Sequence, residues 1–105
     1  MAVSIQRART QAADVIAMPT TDGQVVSGAC VFYGATITNE TGAQIRIHII
    51  SGTSTSGAHI SGLTVANNDT STVWYGDSGL ACPNGIYLDV VAGTPSQGSI
   101  FYSMA

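Results

Sequence analysis

Residues 43–49 read Ala-Gln-Ile-Arg-Ile-His-Ile, and from Gln44 on apolar and polar side chains alternate strictly. An extended strand puts Ile45, Ile47 and Ile49 on one face and Arg46 and His48 on the other, so one face is buried and one is wet. The rest of the chain has the same texture. Ser, Thr, Gly and β-branched residues dominate, Lys is absent, and long helix formers are scarce. Such a composition favours strands over helices.

Further strands are predicted on both sides of this segment. Ala29 to Asn39 alternates, with Val31, Tyr33, Ala35 and Ile37 on one face and Phe32, Gly34, Thr36 and Thr38 on the other. The polar turn Asn39-Glu40-Thr41-Gly42 then joins it to 43–49 as a hairpin. Residues 51–59 read as a flexible loop. Strands follow at Ile60 to Ala66, with Gly62 as a candidate bulge, at Ser71 to Tyr75, at Ile86 to Val91 and at Ser99 to Tyr102. Asn67-Asn68-Asp69, Gly76-Asp77-Ser78-Gly79 and Cys82-Pro83-Asn84-Gly85 supply turns. The expected fold is all-β: a small antiparallel β-sandwich, jelly-roll-like, over residues 21–105. Residues 1–20 are weakly patterned and read equally as an extended N-terminal arm or as an edge strand.

The chain has 105 residues, room for one core. Charged residues make up 9%, against a usual value of about 25%. Three Arg and six acids give a net charge of −3, which argues against nucleic-acid binding. No apolar run approaches the ~20 residues of a membrane helix. Residues 1–10 contain no apolar h-region, so no secretory signal is expected. Cys30 and Cys82 are too few for a disulfide framework. They read as two separate buried thiols of a reducing cytosol, with a paired form as the alternative. Asn39-Glu40-Thr41 and Asn68-Asp69-Thr70 match the glycosylation pattern but read as ordinary turns.

Candidate chemistry is sparse. Gly76-Asp77-Ser78-Gly79-Leu80 resembles the active-serine motif of trypsin-like proteases, with His48 and Asp69 in the matching order. Leu80 replaces the final glycine, the histidine lacks its usual context, and the chain is about half the needed length; a turn between strands is the preferred reading. His48 and His59 are separated by a loop, and the cysteines lack metal-ligand spacing, so neither metal nor cofactor is expected. Asp69 and Asp77 flank one strand at opposite ends, too far apart for paired-acid glycoside hydrolysis. Of Trp74 and Tyr75, and of Phe101 and Tyr102, one of each pair is expected inside. No enzyme is expected.

Several segments carry a resemblance: Gly28-Ala29-Cys30-Val31-Phe32-Tyr33-Gly34, Ile37-Thr38-Asn39-Glu40-Thr41, the strand 43–49, Gly79-Leu80, Gly85-Ile86-Tyr87-Leu88-Asp89-Val90-Val91-Ala92-Gly93, and Gly98-Ser99-Ile100-Phe101-Tyr102. Together they resemble small virion proteins of tailed bacteriophages, found as capsid decoration (cement) or other minor structural subunits. The resemblance covers about three-quarters of the chain, over Gly28 to Tyr102, in fold-pattern rather than catalytic residues. It implies a β-sandwich that self-associates, often as a homotrimer, and binds the major capsid protein on the outside of the shell. The location implied is the virion exterior, after synthesis in the host cytoplasm. Low charge and aromatics suit a contact-making protein. The interface candidates are Val3, Ile5, Arg7 and Arg9 of the arm, with Arg46, Trp74 and Tyr102. The alternative expectation is a small carbohydrate-binding β-sandwich module or lectin, because the same aromatics can stack on sugars.

Overall fold

A computed structural model describes residues 14–105. Nine strands follow one another: β1 (Asp14–Ala17), β2 (Gly23–Ser27), β3 (Cys30–Asn39), β4 (Ile45–Ser51), β5 (Ala58–Val65), β6 (Asp69–Trp74), β7 (Leu80–Cys82), β8 (Gly85–Ala92) and β9 (Gln97–Met104). Among the described residues there is no helix. The first sheet has the order β1-β9-β3-β6, with β7 also on β3, and the second has the order β2-β8-β4-β5. Every pairing is antiparallel.

β6 and β7 are two pieces of one interrupted strand. β6 lies against the second half of β3, from Asn39↔Asp69 to Gly34↔Trp74, and β7 against the first half, from Phe32↔Leu80 to Cys30↔Cys82. Counted as one, they complete the strand order of a jelly roll, the fold expected from the sequence. Of the first 20 residues, 14–17 form the edge strand β1 and Met18 is buried in the core.

The inward faces make a single core. Phe32, Ala35, Ile37 and Ile100 from the first sheet meet Val26, Ile45, Ile47, Ile49, Leu63, Val65, Ile86 and Leu88 from the second. This arrangement corrects the expected hairpin. β3 and β4 do not pair; residues 40–44 carry the chain from one sheet to the other. Two successive amphipathic strands bury their apolar faces equally well side by side or face to face. Asn39 decides for the crossing. It is fully buried, and its Nδ2 donates to the carbonyls of Ala43 at 2.6 Å and Val65 at 2.9 Å. Its Oδ1 accepts from the backbone N–H of Thr41 at 3.0 Å and the Thr41 hydroxyl at 2.7 Å. A buried amide with its donors and its oxygen engaged fixes the corner. Asn39 is thus a structural corner residue and has no free amide to serve as a glycosylation acceptor.

Strict alternation also fails inside β3. The register slips between Phe32 and Gly34, so Tyr33 is an extra residue on its strand. Such a bulge points two successive positions the same way. Phe32, Ala35 and Ile37 therefore face inward, while Val31, Tyr33, Thr36 and Thr38 face outward. A second slip falls between Ile49 and Ile50, opposite Ile60 rather than Gly62. The extra residue turns His59 to the outer face opposite Ile50, which alternation along β4 already points outward, and residues 52–57 fold over Ile50. A Cβ at Gly57 would lie 2.8 Å from Ile50 Cγ2, and Ile50 is fully buried. The expected flexible loop is a packed one.

Candidate functional site

The two outer faces of the sandwich differ in chemistry. On the first sheet, the register points Val15 and Ala17 of β1, Val31, Tyr33, Thr36 and Thr38 of β3, Thr70, Thr72 and Trp74 of β6, and Phe101 of β9 outward. None of these carries a charge. Trp74 is 56% exposed and Val15 60%, high values for large apolar side chains. The Trp74 ring centroid lies 6.3 Å from Tyr33 at an interplanar angle of 30°, and 6.4 Å from Phe101 at 78°. The Tyr33 hydroxyl is hydrogen-bonded to Ser103 Oγ at 3.0 Å, which holds its ring in place. Beside the aromatics, Thr36 and Thr72 are hydrogen-bonded through their hydroxyls at 3.0 Å, and Thr38 and Thr70 at 2.9 Å. The face is therefore apolar and aromatic at one end and hydroxyl-lined at the other.

Gly34 makes the aromatic end possible. Its backbone sits directly opposite Trp74, and a Cβ there would come within 2.7 Å of Trp74 Cε3. The missing side chain leaves space into which the indole lies. Trp74's chain neighbour Tyr75 turns the other way. It packs on Phe32 at 5.8 Å and donates its hydroxyl proton to the Ile60 carbonyl at 3.0 Å, linking the edges of the two sheets. Alternation thus divides the aromatic pairs as the sequence predicts: Tyr75 and Tyr102 pack against the core, and Trp74 and Phe101 face out.

The outer face of the second sheet is polar and titratable. Arg46 is exposed on β4. His48 lies between Asp89 of β8 and His59 of β5. Its Nδ1 is 3.8 Å from Asp89 Oδ2, and its ring centroid is 4.8 Å from that of His59. His48 Nδ1 is buried and has no hydrogen-bond partner. This grouping was hidden in the sequence, because a loop separates the two histidines and β8 is distant in the chain. The pairing of β4 with both β5 and β8 assembles it. Among the described residues, no three His, Cys, Asp or Glu side chains are placed to hold a metal ion.

The interface candidates divide accordingly. Trp74 stands on the outer face of the first sheet and Arg46 on that of the second. Tyr102 packs against the core, and its neighbour Phe101 takes the outward place. Val3, Ile5, Arg7 and Arg9 lie outside the described residues. The protease-like set is not assembled: Asp69 begins β6 of the first sheet and Ser78 lies in the turn between β6 and β7, whereas His48 is on the outer face of the second sheet. Asp69 and Asp77 lie at and beyond opposite ends of β6.

No family model matches the sequence, and no curated protein or solved structure shows a significant match to it.

Proposed function

We propose that the chain is a non-enzymatic structural protein of a bacteriophage virion, a capsid decoration protein that binds the outer shell as a homo-oligomer and stabilises it. The observation that supports this reading is the uncharged outer face of the first sheet, with Trp74, Val15, Tyr33 and Phe101 at one end. Protein-binding surfaces are depleted of charge at their centre and enriched in aromatics. A rigid sheet presents such a face with little ordering cost on association. Self-association and capsid binding both remove that face from water. Shell stabilisation then follows from mass action, since a ligand of the assembled shell favours the assembled state.

The test mixes purified protein with empty shells and measures binding by co-sedimentation, alongside native mass. Wild-type protein binds as an oligomer, most simply a trimer, and delays heat release of the packaged genome. Trp74→Asp and Val15→Asp keep the fold, by circular dichroism, and lose shell binding. Release equal with and without the protein, or variants that bind like wild type, would overturn the proposal.

A second reading draws on the same face. Tyr33 and Trp74 are inclined by only 30°, and the Thr36–Thr72 and Thr38–Thr70 hydroxyl pairs lie on the same sheet face. Aromatic surface with neutral hydroxyls suits an uncharged glycan. Neutral-glycan binding that is lost in Trp74→Ala, together with no shell binding, would replace the virion role with a carbohydrate-binding one.

A further inference from the structure

Cys30 and Cys82 sit directly opposite each other on β3 and β7, as register partners. Both are buried and both are free thiols. Burial, and then the neighbouring Cys82, push the Cys30 thiol up to about 11. Directly paired residues of antiparallel strands have Cα atoms about 4.5–5.5 Å apart. A disulfide spans Cα separations of about 4.4–6.8 Å. The strand partnership thus meets the spacing that a disulfide requires.

The place of this pair in the fold gives a cross-link consequence. β7 is the short second piece of the interrupted strand, running only from Leu80 to Cys82. The turn at residues 76–78 separates it from β6, and Pro83-Asn84 turn the chain into the other sheet after it. Its pairing with β3 covers Cys82, which is completely buried at one end of the core. We infer that Cys30 and Cys82 form an intramolecular cross-strand disulfide when the protein meets an oxidising thiol–disulfide pool, clamping β7 to β3. This inference is independent of the virion role.

The oxidant is a small-molecule disulfide such as glutathione disulfide. One cysteine thiolate attacks a glutathione sulfur, the glutathione S–S bond breaks, and one glutathione thiolate leaves. The second cysteine, deprotonated, attacks the protein sulfur of this mixed disulfide, and the second glutathione leaves. Two protein thiols and one glutathione disulfide give one protein disulfide and two glutathione thiols. Two electrons pass to glutathione, and the two thiol protons are taken up by its thiolates. Neither protein sulfur is reachable while β7 is seated. Oxidation of the native protein therefore waits on local opening of this edge strand, and mild denaturant accelerates it.

The test incubates the full chain in glutathione buffers of increasing oxidised fraction. The products are unfolded without reductant and alkylated, and intact mass is read. The expected product is a monomer with both thiols protected, two hydrogens lighter than the reduced chain. Its melting temperature is expected to be at least about 10 °C higher, as a cross-link closing a loop of this length implies. Amide exchange in β7 and the adjoining residues slows with it. Cys82→Ala yields only a mixed disulfide with glutathione and no rise in melting temperature. The wild-type comparison stands by itself if that variant does not fold. Thiols that remain alkylatable in the most oxidising buffer, only mixed or intermolecular disulfides, or an intramolecular disulfide with unchanged melting temperature would overturn the inference.

Discussion

Asn39 ties the 40–44 connection and the end of β5 to the end of β3 at one corner, through Thr41, Ala43 and Val65. The Asn68 N–H adds to the knot by donating to the Asn39 carbonyl at 2.6 Å. Asn39→Ala leaves the partner carbonyls and the Thr41 donors without their buried mate. A loss of about 3 kcal/mol is expected, read as a lower urea midpoint at unchanged slope. The buried cysteines set a second behaviour at this scale. The Cys30 thiol rises from an ordinary 9.0 to about 11 in the folded chain, mainly through burial. Burial raises Cys82 as well. The folded state holds these protons more tightly than the unfolded state. Their contribution is complete below about pH 9 and is lost as pH rises towards 11. The reduced protein should lose stability over that window, and Cys30→Ala should show a shallower decline in pH-dependent urea melts.

Among the elements, β3 does the most to shape the molecule. It pairs with β9 on one side and with β6 and β7 on the other. Its bulge at Tyr33 sends that ring outward and leaves Gly34 opposite Trp74. Filling the position is expected to be costly: at Gly34→Val the new Cβ meets the Trp74 ring and the Val73 carbonyl. We expect a loss of about 1–3 kcal/mol, with a shift of Trp fluorescence as the indole is displaced from the sheet. Native fluorescence and stability in that variant would remove Gly34 as the basis of the aromatic face. The β4–β5 hairpin behaves comparably. Gly57 passes within contact of Ile50 and the Ser51 carbonyl, so residues 52–57 act as a lid on an outward-facing isoleucine.

For the molecule as a whole, topology sets the folding rate. Apart from the β4–β5 hairpin and the β6–β7 interruption, every connection crosses between sheets. β1 and β9, at opposite ends of the described chain, are paired neighbours. Such long-range pairing places refolding in the range of about milliseconds to seconds, measurable by stopped-flow Trp fluorescence. Microsecond refolding would contradict this topology. The same topology segregates the chemistry. The first sheet turns an uncharged aromatic face outward, and the second turns Arg46, His48, His59 and Asp89 outward. The molecule therefore has two unlike broad surfaces, one uncharged and aromatic, the other polar and titratable.

The strands were legible because period-two alternation and Gly, Asn and Pro turns are local signals, set by neighbouring side chains. Ile45, Ile47 and Ile49 could be placed inside from the sequence alone, and Trp74 could be set on the opposite face from Tyr75. That much determined an antiparallel sandwich. The tertiary structure decided which strands became neighbours. Alternation specifies that a face must be buried but not what buries it, so β3 and β4 read equally well as a hairpin or as facing layers until the buried amide of Asn39 fixed the corner. Bulges at Tyr33 and Ile60 reversed the facing of residues beyond them, and nothing in the residue pattern marks where an extra residue is absorbed. The joining of His48 to His59 and Asp89, and of Cys30 to Cys82, likewise came from register between segments distant in sequence. Side-chain periodicity is a property of one strand; register is a property of two, and it is set by how the whole core packs.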